Sequence, residues 1–316
     1  MILLISCLCH AENYIISSEA SLLKLFVKRV VRKKEILGHG AYGSVEVVLW
    51  HGVEYAAKRF RTDVRGQDKK KKFYQKFHSE YELLSSLRHK NIVAYQGVCF
   101  LSHSDLADVP LLMMERLKID LDRRLLDYSM EYPSPLTLKE KISILLDVAE
   151  GLQYLHTHQP QVIHGDLTAK NVLLNEENMA KIGDFGNARM LSFDQSSCIA
   201  STTCNLGTLH YTAPEVFPLQ SYNAKIDIFS FGHLTLFVMI DDFPSKLLPS
   251  VKIKTDGTRE ALSETERRQS YINKLQFVCE SNSILPMVKL VTDCLDNRPQ
   301  KRPLASDLVV GINSIH

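Results

Sequence analysis

Between residues 32 and 60, apolar residues come in short runs set around glycines. The run Val45, Val47, Val48, Leu49 and Trp50 is β-branched and aromatic and favours a strand. This region therefore predicts a strand, a glycine-rich turn and further strands. From Phe73 to Leu87 the period changes, and Phe73, Phe77, Leu83, Leu84 and Leu87 share one helical face. The basic run Lys69 to Lys72 before it predicts a solvated helix start. Leu111 to Leu117 is another short apolar run, predicted to be a strand leading into a connector. Lys139 to His158 carries Ile142, Leu145, Leu146, Ala149, Leu152 and Leu155 on one stripe, which predicts a long scaffold helix. No repeat and no low-complexity tract interrupts this order.

Composition narrows the field only a little. At 316 residues and 45% hydrophobic, the chain is long enough to bury a substantial core. A net charge of +2 gives no argument for nucleic acid or a membrane surface as partner. The 7 cysteines are scattered without a C-x-x-C pair, which suits free thiols in a reducing, intracellular (cytoplasmic) setting. Cys7, Cys9 and His10 are half a metal site at most. The apolar stretch Met1 to Cys9 lacks the basic flank of a signal peptide, so it is expected to be a non-core tail or the remnant of a longer protein. No other run is long or uncharged enough to predict a membrane span.

The chemistry gathers in two places. His164-Gly165-Asp166-Leu167-Thr168-Ala169-Lys170-Asn171 is followed by Asp184-Phe185-Gly186. Asp166, Asn171 and Asp184 supply the hard oxygen donors that a nucleotide-bound Mg²⁺ and an attacking hydroxyl require. Upstream, Gly38-His39-Gly40-Ala41-Tyr42-Gly43-Ser44-Val45 reads G-x-G-x-x-G-x-V, with Ala56-Ala57-Lys58 on the next apolar run. A dinucleotide-binding unit would open a helix at its third glycine. Here a strand-forming run follows, so the loop joins two strands.

In these motifs, over roughly residues 30 to 315, the chain resembles a eukaryotic protein kinase domain. The resemblance implies an α+β bilobal fold, with a small antiparallel β lobe bearing one main helix and a larger, mostly helical lobe. The small lobe would span about 30–114, the hinge 115–118 and the large lobe 119–315, after a tail at 1–29. It implies ATP and Mg²⁺ (or Mn²⁺) as cofactors and a protein as substrate. Lys58 would contact the α- and β-phosphates, held by Glu80. Glu82 is the rival, but it lies about 200° around the helix from Glu80, so one of them alone can face the site. Asp184 and Asn171 would hold the metal, and Asp166 would orient the hydroxyl. Leu37, Gly38, Gly40, Gly43, Val45, Ala56, Met114, Glu115, Leu117 and Leu173 would enclose the nucleotide, the backbone of Glu115 and Leu117 bonding adenine. Met114 read alone is ordinary core methionine. Ala213-Pro214-Glu215 would close the activation segment, with Arg302 the partner of Glu215. Asp227 would cap the catalytic loop. Leu84, His164 and Phe185 would stack between the lobes.

Three positions depart from the usual pattern. Gly165 stands where an arginine usually gathers an activation-loop phosphate, which predicts less dependence on phosphorylation there. Thr168 replaces the lysine usual in serine/threonine kinases, and Lys170 sits where many tyrosine kinases place a catalytic cation. Gly207 to Glu215 nevertheless looks serine/threonine-like. The mixture resembles the tyrosine-kinase-like group and leaves the hydroxyl class open. Asp241 to Arg268 is polar and charged, and reads as a solvated loop. The alternative function is a pseudokinase scaffold that binds nucleotide without transferring phosphate.

Overall fold

A computed structural model describes residues 28–40, 43–60, 67–101, 110–126, 134–191, 198–199, 211–216, 221–240, 251–253, 259–261, 264–281 and 284–315. The N-terminal run with Cys7, Cys9 and His10, the loop tip Ala41-Tyr42, and Ser201 to His210 lie outside the described residues, as do the side chains of Lys69 to Phe73. The fold is α+β, and the chain divides into two compact units. One runs up to Arg88 and takes in Val93–Leu117; the other takes in His89–Ile92 and everything from Lys118 on.

The first unit is a five-stranded sheet with one helix. Its strands are β1 (Lys28–Gly40), β2 (Gly43–Trp50), β3 (Val53–Phe60), β4 (Tyr95–Leu101) and β5 (Leu111–Glu115), and its helix is α1 (Gln67–Ser86). The sheet is mostly antiparallel, as expected, with one parallel pairing. Lys28–Val30 run parallel to Cys99–Leu101, closing the order β1-β2-β3-β5-β4 into a barrel. Closure pairs the edges that an open sheet would leave exposed. It also draws Lys28 and Arg29 into a strand, where the sequence reading leaves them in a tail. Because side chains alternate along strands, Val30, Val48, Ala57, Cys99, Leu111 and Met113 fill the interior. Ala56, Lys58 and Phe60 point the other way, where Phe60 meets Phe77 of α1 edge-on at 5.7 Å.

The second unit is mainly helical: α2 (Leu121–Leu126), α3 (Leu138–Thr157), α4 (Lys225–Ile240), α5 (Glu264–Ser281), α6 (Pro286–Cys294) and α7 (Ala305–Asn313). Thr137 and Glu140 form a reciprocal capping box that starts α3, and the helix stops ahead of Pro160. Its buried face is wider than the predicted stripe. Ile144 and Val148 are fully buried, because α3 packs against both α7 and short strands, and Leu146 is half-buried. Helix α4 is buried along nearly its whole length.

Two boundaries differ from the sequence reading. Residues 89–92 join the second unit because Asn91 Nδ2 donates to the Ala180 carbonyl at 3.0 Å, and Ile182 N–H donates to the Asn91 carbonyl at 2.9 Å. The segment 241–268 is not all loop: Val251–Ile253 pairs with Arg259–Ala261 as an antiparallel ribbon, and α5 begins at Glu264. The β-branched alternation Val-Lys-Ile favours that strand despite the charged surroundings. Among the described residues, no helix is long and apolar enough to cross a membrane.

Candidate active site

Short strands in the second unit set the spacing of the chemical groups. These are β6 (Ile119–Asp120), β7 (Gln161–Ile163), β8 (Val172–Leu174), β9 (Ala180–Ile182) and β10 (Arg189–Leu191). β8 pairs with β9 so that Val172 faces Ile182. The start of one strand therefore lies beside the end of the other. Asn171 and Gly183 meet there, the Gly183 N–H donating to the Asn171 carbonyl at 2.8 Å. This register brings Asp184 to the loop that carries Asp166.

The Asp166 loop hangs on one buried carboxylate. Asp227, fully removed from solvent in the first turn of α4, accepts from the N–H groups of His164 at 2.9 Å and Gly165 at 2.8 Å. His156 Nε2 lies 2.9 Å from the same carboxylate. Burial disfavours the Asp227 charge, but the His156 hydrogen bond, the neighbouring histidines and the Gly165 N–H outweigh it and hold its pKa below the usual carboxylate value. His164 is buried against Phe185, with ring centroids 5.1 Å apart. Its Nε2 lies 2.9 Å from the Gly183 carbonyl, while its Nδ1 accepts from the Asp166 N–H at 3.3 Å. A carbonyl can only accept, so His164 donates from Nε2 to Gly183.

Asp166 is half-buried. Asn171 Nδ2 donates to its backbone carbonyl at 2.7 Å, and Asn187 Nδ2 donates to its Oδ2 at 3.0 Å. Burial, with the nearby Asp184 charge, pushes the Asp166 pKa up; His164 and the Asn187 hydrogen bond oppose the rise. Asp184 is exposed at φ +51°, unusual for a residue with a side chain, and its Oδ1 accepts from the Gly186 N–H at 3.3 Å. With the Asn171 amide nitrogen engaged on Asp166, the amide oxygen is the donor left for a cation. Among the described residues, no group of three or more His, Cys, Asp and Glu is gathered for a metal. Asp184 with Asn171 does suit Mg²⁺, which takes few protein oxygens and fills its shell with phosphate and water.

In the first unit, Lys58 Nζ donates to Glu80 Oε1 at 2.6 Å, and both side chains are buried. Glu80 shares a helical face with Phe77 and Leu84. Glu82 turns to solvent and pairs with His78 at 3.2 Å. Gly38 pairs with Val45, Gly40 with Gly43, and Val45 with Lys58. A Cβ at Gly43 would run into the Arg59 carbonyl, whereas one at Gly38 would meet nothing. Gly43 is thus required by close strand packing before any ligand is considered. Leu37 and Leu117 are half-buried. Ala56 pairs with Met114, and both are buried. The Glu115 N–H donates to the Ala94 carbonyl at 3.0 Å, so a bond from its backbone to a base must use its own carbonyl.

A family description of the protein kinase domain matches residues 31–310. The chain belongs to the protein kinase domain family. Similar proteins include a probable serine/threonine-protein kinase of Dictyostelium discoideum, 30% identical over 292 residues. A probable leucine-rich repeat receptor-like protein kinase, IMK3, and a wall-associated receptor kinase-like protein of Arabidopsis thaliana are 31% and 30% identical over 288 and 302 residues. The alignments cover 92%, 89% and 92% of this chain but 24%, 34% and 39% of those relatives, so the chain spans well under half of each.

Other residues of the kinase domain motifs also find places in the second unit. Arg302, fully buried, binds Glu215 through both guanidinium amines, at 2.5 and 2.8 Å, and stacks on Phe229. Leu173 is half-buried in β8. Lys170 is exposed in the turn Ala169–Asn171, and among the described residues the hydrogen bonds donated to Asp166 come from Asn171 and Asn187. The sequence reading missed three participants: His156 on Asp227, Asn91 on Ala180 and Asn187 on Asp166.

Proposed function

We propose that this kinase domain transfers the γ-phosphoryl group of ATP to a serine or threonine hydroxyl of a protein. The observation that carries this reading is the Asp166 carboxylate, held on a buried scaffold beside Asn171 and Asp184. The acceptor oxygen bonds the γ-phosphorus, the bond to the β–γ bridging oxygen breaks, ADP leaves, and the hydroxyl proton passes toward Asp166. Such a reaction is accelerated by positioning and charge neutralisation. From the first unit, Lys58, held by Glu80, binds the α- and β-phosphates under the strands of Gly38, Gly40 and Gly43. Leu37, Val45, Ala56, Met114, Glu115 and Leu117 of the first unit are the proposed adenine contacts, as is Leu173 of the second. Asp184 and Asn171 would hold Mg²⁺ or Mn²⁺, which would neutralise phosphate charge.

The similar Dictyostelium protein is a probable serine/threonine-protein kinase, which supports serine/threonine as the acceptor class. Thr168 and Lys170 with Thr212 support placement in the tyrosine-kinase-like group. With Gly165 in place of arginine, activity depends less on a phosphorylated activation segment. Cys99, Cys279 and Cys294 are buried and, among the described residues, in no disulfide, which supports a reducing, cytoplasmic setting. The test is phospho-amino-acid analysis of a mixed peptide library after incubation with ATP and Mg²⁺. Label on serine and threonine, absent with Asp166→Asn, upholds the reading. Label on tyrosine alone overturns the acceptor class, and ATP binding without label favours a scaffold.

A further inference from the structure

Asn187 follows Asp184-Phe185-Gly186 and belongs to none of the motifs above, yet it donates from Nδ2 to Asp166 Oδ2 at 3.0 Å. Strand pairing puts it there. β10 runs antiparallel to β7 with Arg189 facing Ile163, Met190 facing Val162 and Leu191 facing Gln161. Continuing this register outward sets Ala188 opposite His164 and Asn187 opposite Gly165. Gly165 has φ +74°, and a Cβ on it would stand 3.1 Å from the Asn187 carbonyl oxygen. A side chain at 165 would therefore be strained by its backbone and crowded by residue 187. The glycine admits the close approach that aims the Asn187 amide at the Asp166 carboxylate.

We propose that Asn187 is a positioning residue for Asp166, its amide holding Oδ2 so that Oδ1 is left for the substrate hydroxyl. The inference deepens the phosphoryl-transfer reading and rests on it. An amide is suited to this role: it donates to the carboxylate without adding charge, and it has few rotamers to lose. Lys170 was the cation expected in that neighbourhood, but the bond to the Asp166 carboxylate comes from Asn187. A hydrogen bond donated to a carboxylate favours its ionised form.

The test compares wild type with Asn187→Leu, similar in size but without a donor, and Asn187→Asp, which adds a like charge. The readouts are kcat, KM for ATP, the pH profile of kcat, and the ¹³Cγ titration of Asp166. We expect Asn187→Leu to lower kcat about tenfold with KM for ATP changed by less than about twofold. Its Asp166 midpoint moves to higher pH, and the acid limb of kcat moves with it; Asn187→Asp moves both further. An unmoved midpoint overturns the proposal, whether kcat is unchanged, raised, or lowered together with the melting temperature. Asn187→Ala takes the same readouts if Asn187→Leu does not fold. If wild type transfers no phosphate, the phosphoryl-transfer reading fails by itself. The titration then still decides the contact: a raised midpoint upholds it and an unmoved one ends it.

Discussion

Lys58 on β3 and Glu80 on α1 form a buried ion pair, Nζ to Oε1 at 2.6 Å, that ties the first unit's helix to its sheet. Removing one partner leaves the other charge buried alone, a loss of about 3–5 kcal/mol. Lys58→Met is therefore expected to lower both the melting temperature and the transfer rate, the latter by at least about a hundredfold. The double variant Lys58→Met/Glu80→Gln should recover much of the stability and none of the activity. A double-mutant cycle followed by thermal melts and transfer assays checks both statements.

Asp227 and Asp166 have shifts of opposite sign, so they shape the pH dependence of stability in opposite ways. The lowered pKa of Asp227 stabilises the fold above the unfolded carboxylate value, near about 3.9, and that contribution disappears as pH falls through the folded value. Asp227→Asn should melt lower at neutral pH and show a flatter acid dependence below about pH 4. The raised pKa of Asp166 favours the fold below the unfolded value, a contribution lost as pH rises through the folded one. Asp166→Asn should then melt higher than wild type at neutral pH while losing activity. Melting curves across pH measure both.

Gly38 and Gly43 stand in one motif for different reasons. Gly43→Ala collides with the Arg59 carbonyl and should disrupt the β2–β3 pairing, lowering the melting temperature sharply. Gly38→Ala meets open space and should leave stability within about 0.5 kcal/mol of wild type. Any rise in KM for ATP in Gly38→Ala then reports on the ligand.

Gly165→Arg restores the residue usual in the family, yet it should not restore the usual regulation. At φ +74°, a side chain strains the backbone by about 1–3 kcal/mol and presses on the Asn187 carbonyl. We expect a lower melting temperature and a lower kcat, with no gain of phosphorylation dependence, measured before and after phosphatase treatment.

Much of the site was legible because its residues sit in local strings whose spacing survives without the fold. Glu80 was chosen from its place ahead of the kinase-like exit at Leu87, helical geometry adding that Glu82 could not face the same way. Gly43 was legible as a motif residue, although its packing reason needs the β3 carbonyl opposite it. Asn187 and Asn91 were not legible, since their partners are set by strand register and by a long-range contact with Ala180. The barrel closure through Lys28–Val30 and Cys99–Leu101 was missed for the same reason.

The most direct test of the central claim is single-turnover transfer of the ATP γ-phosphate by wild type and Asp166→Asn, with ATP·Mg²⁺ binding measured on both. Both are expected to bind ATP with similar affinity, and wild type alone to transfer phosphate to a peptide hydroxyl. Wild type that binds ATP without transferring it, or an Asp166→Asn variant that transfers it as fast, would contradict the account.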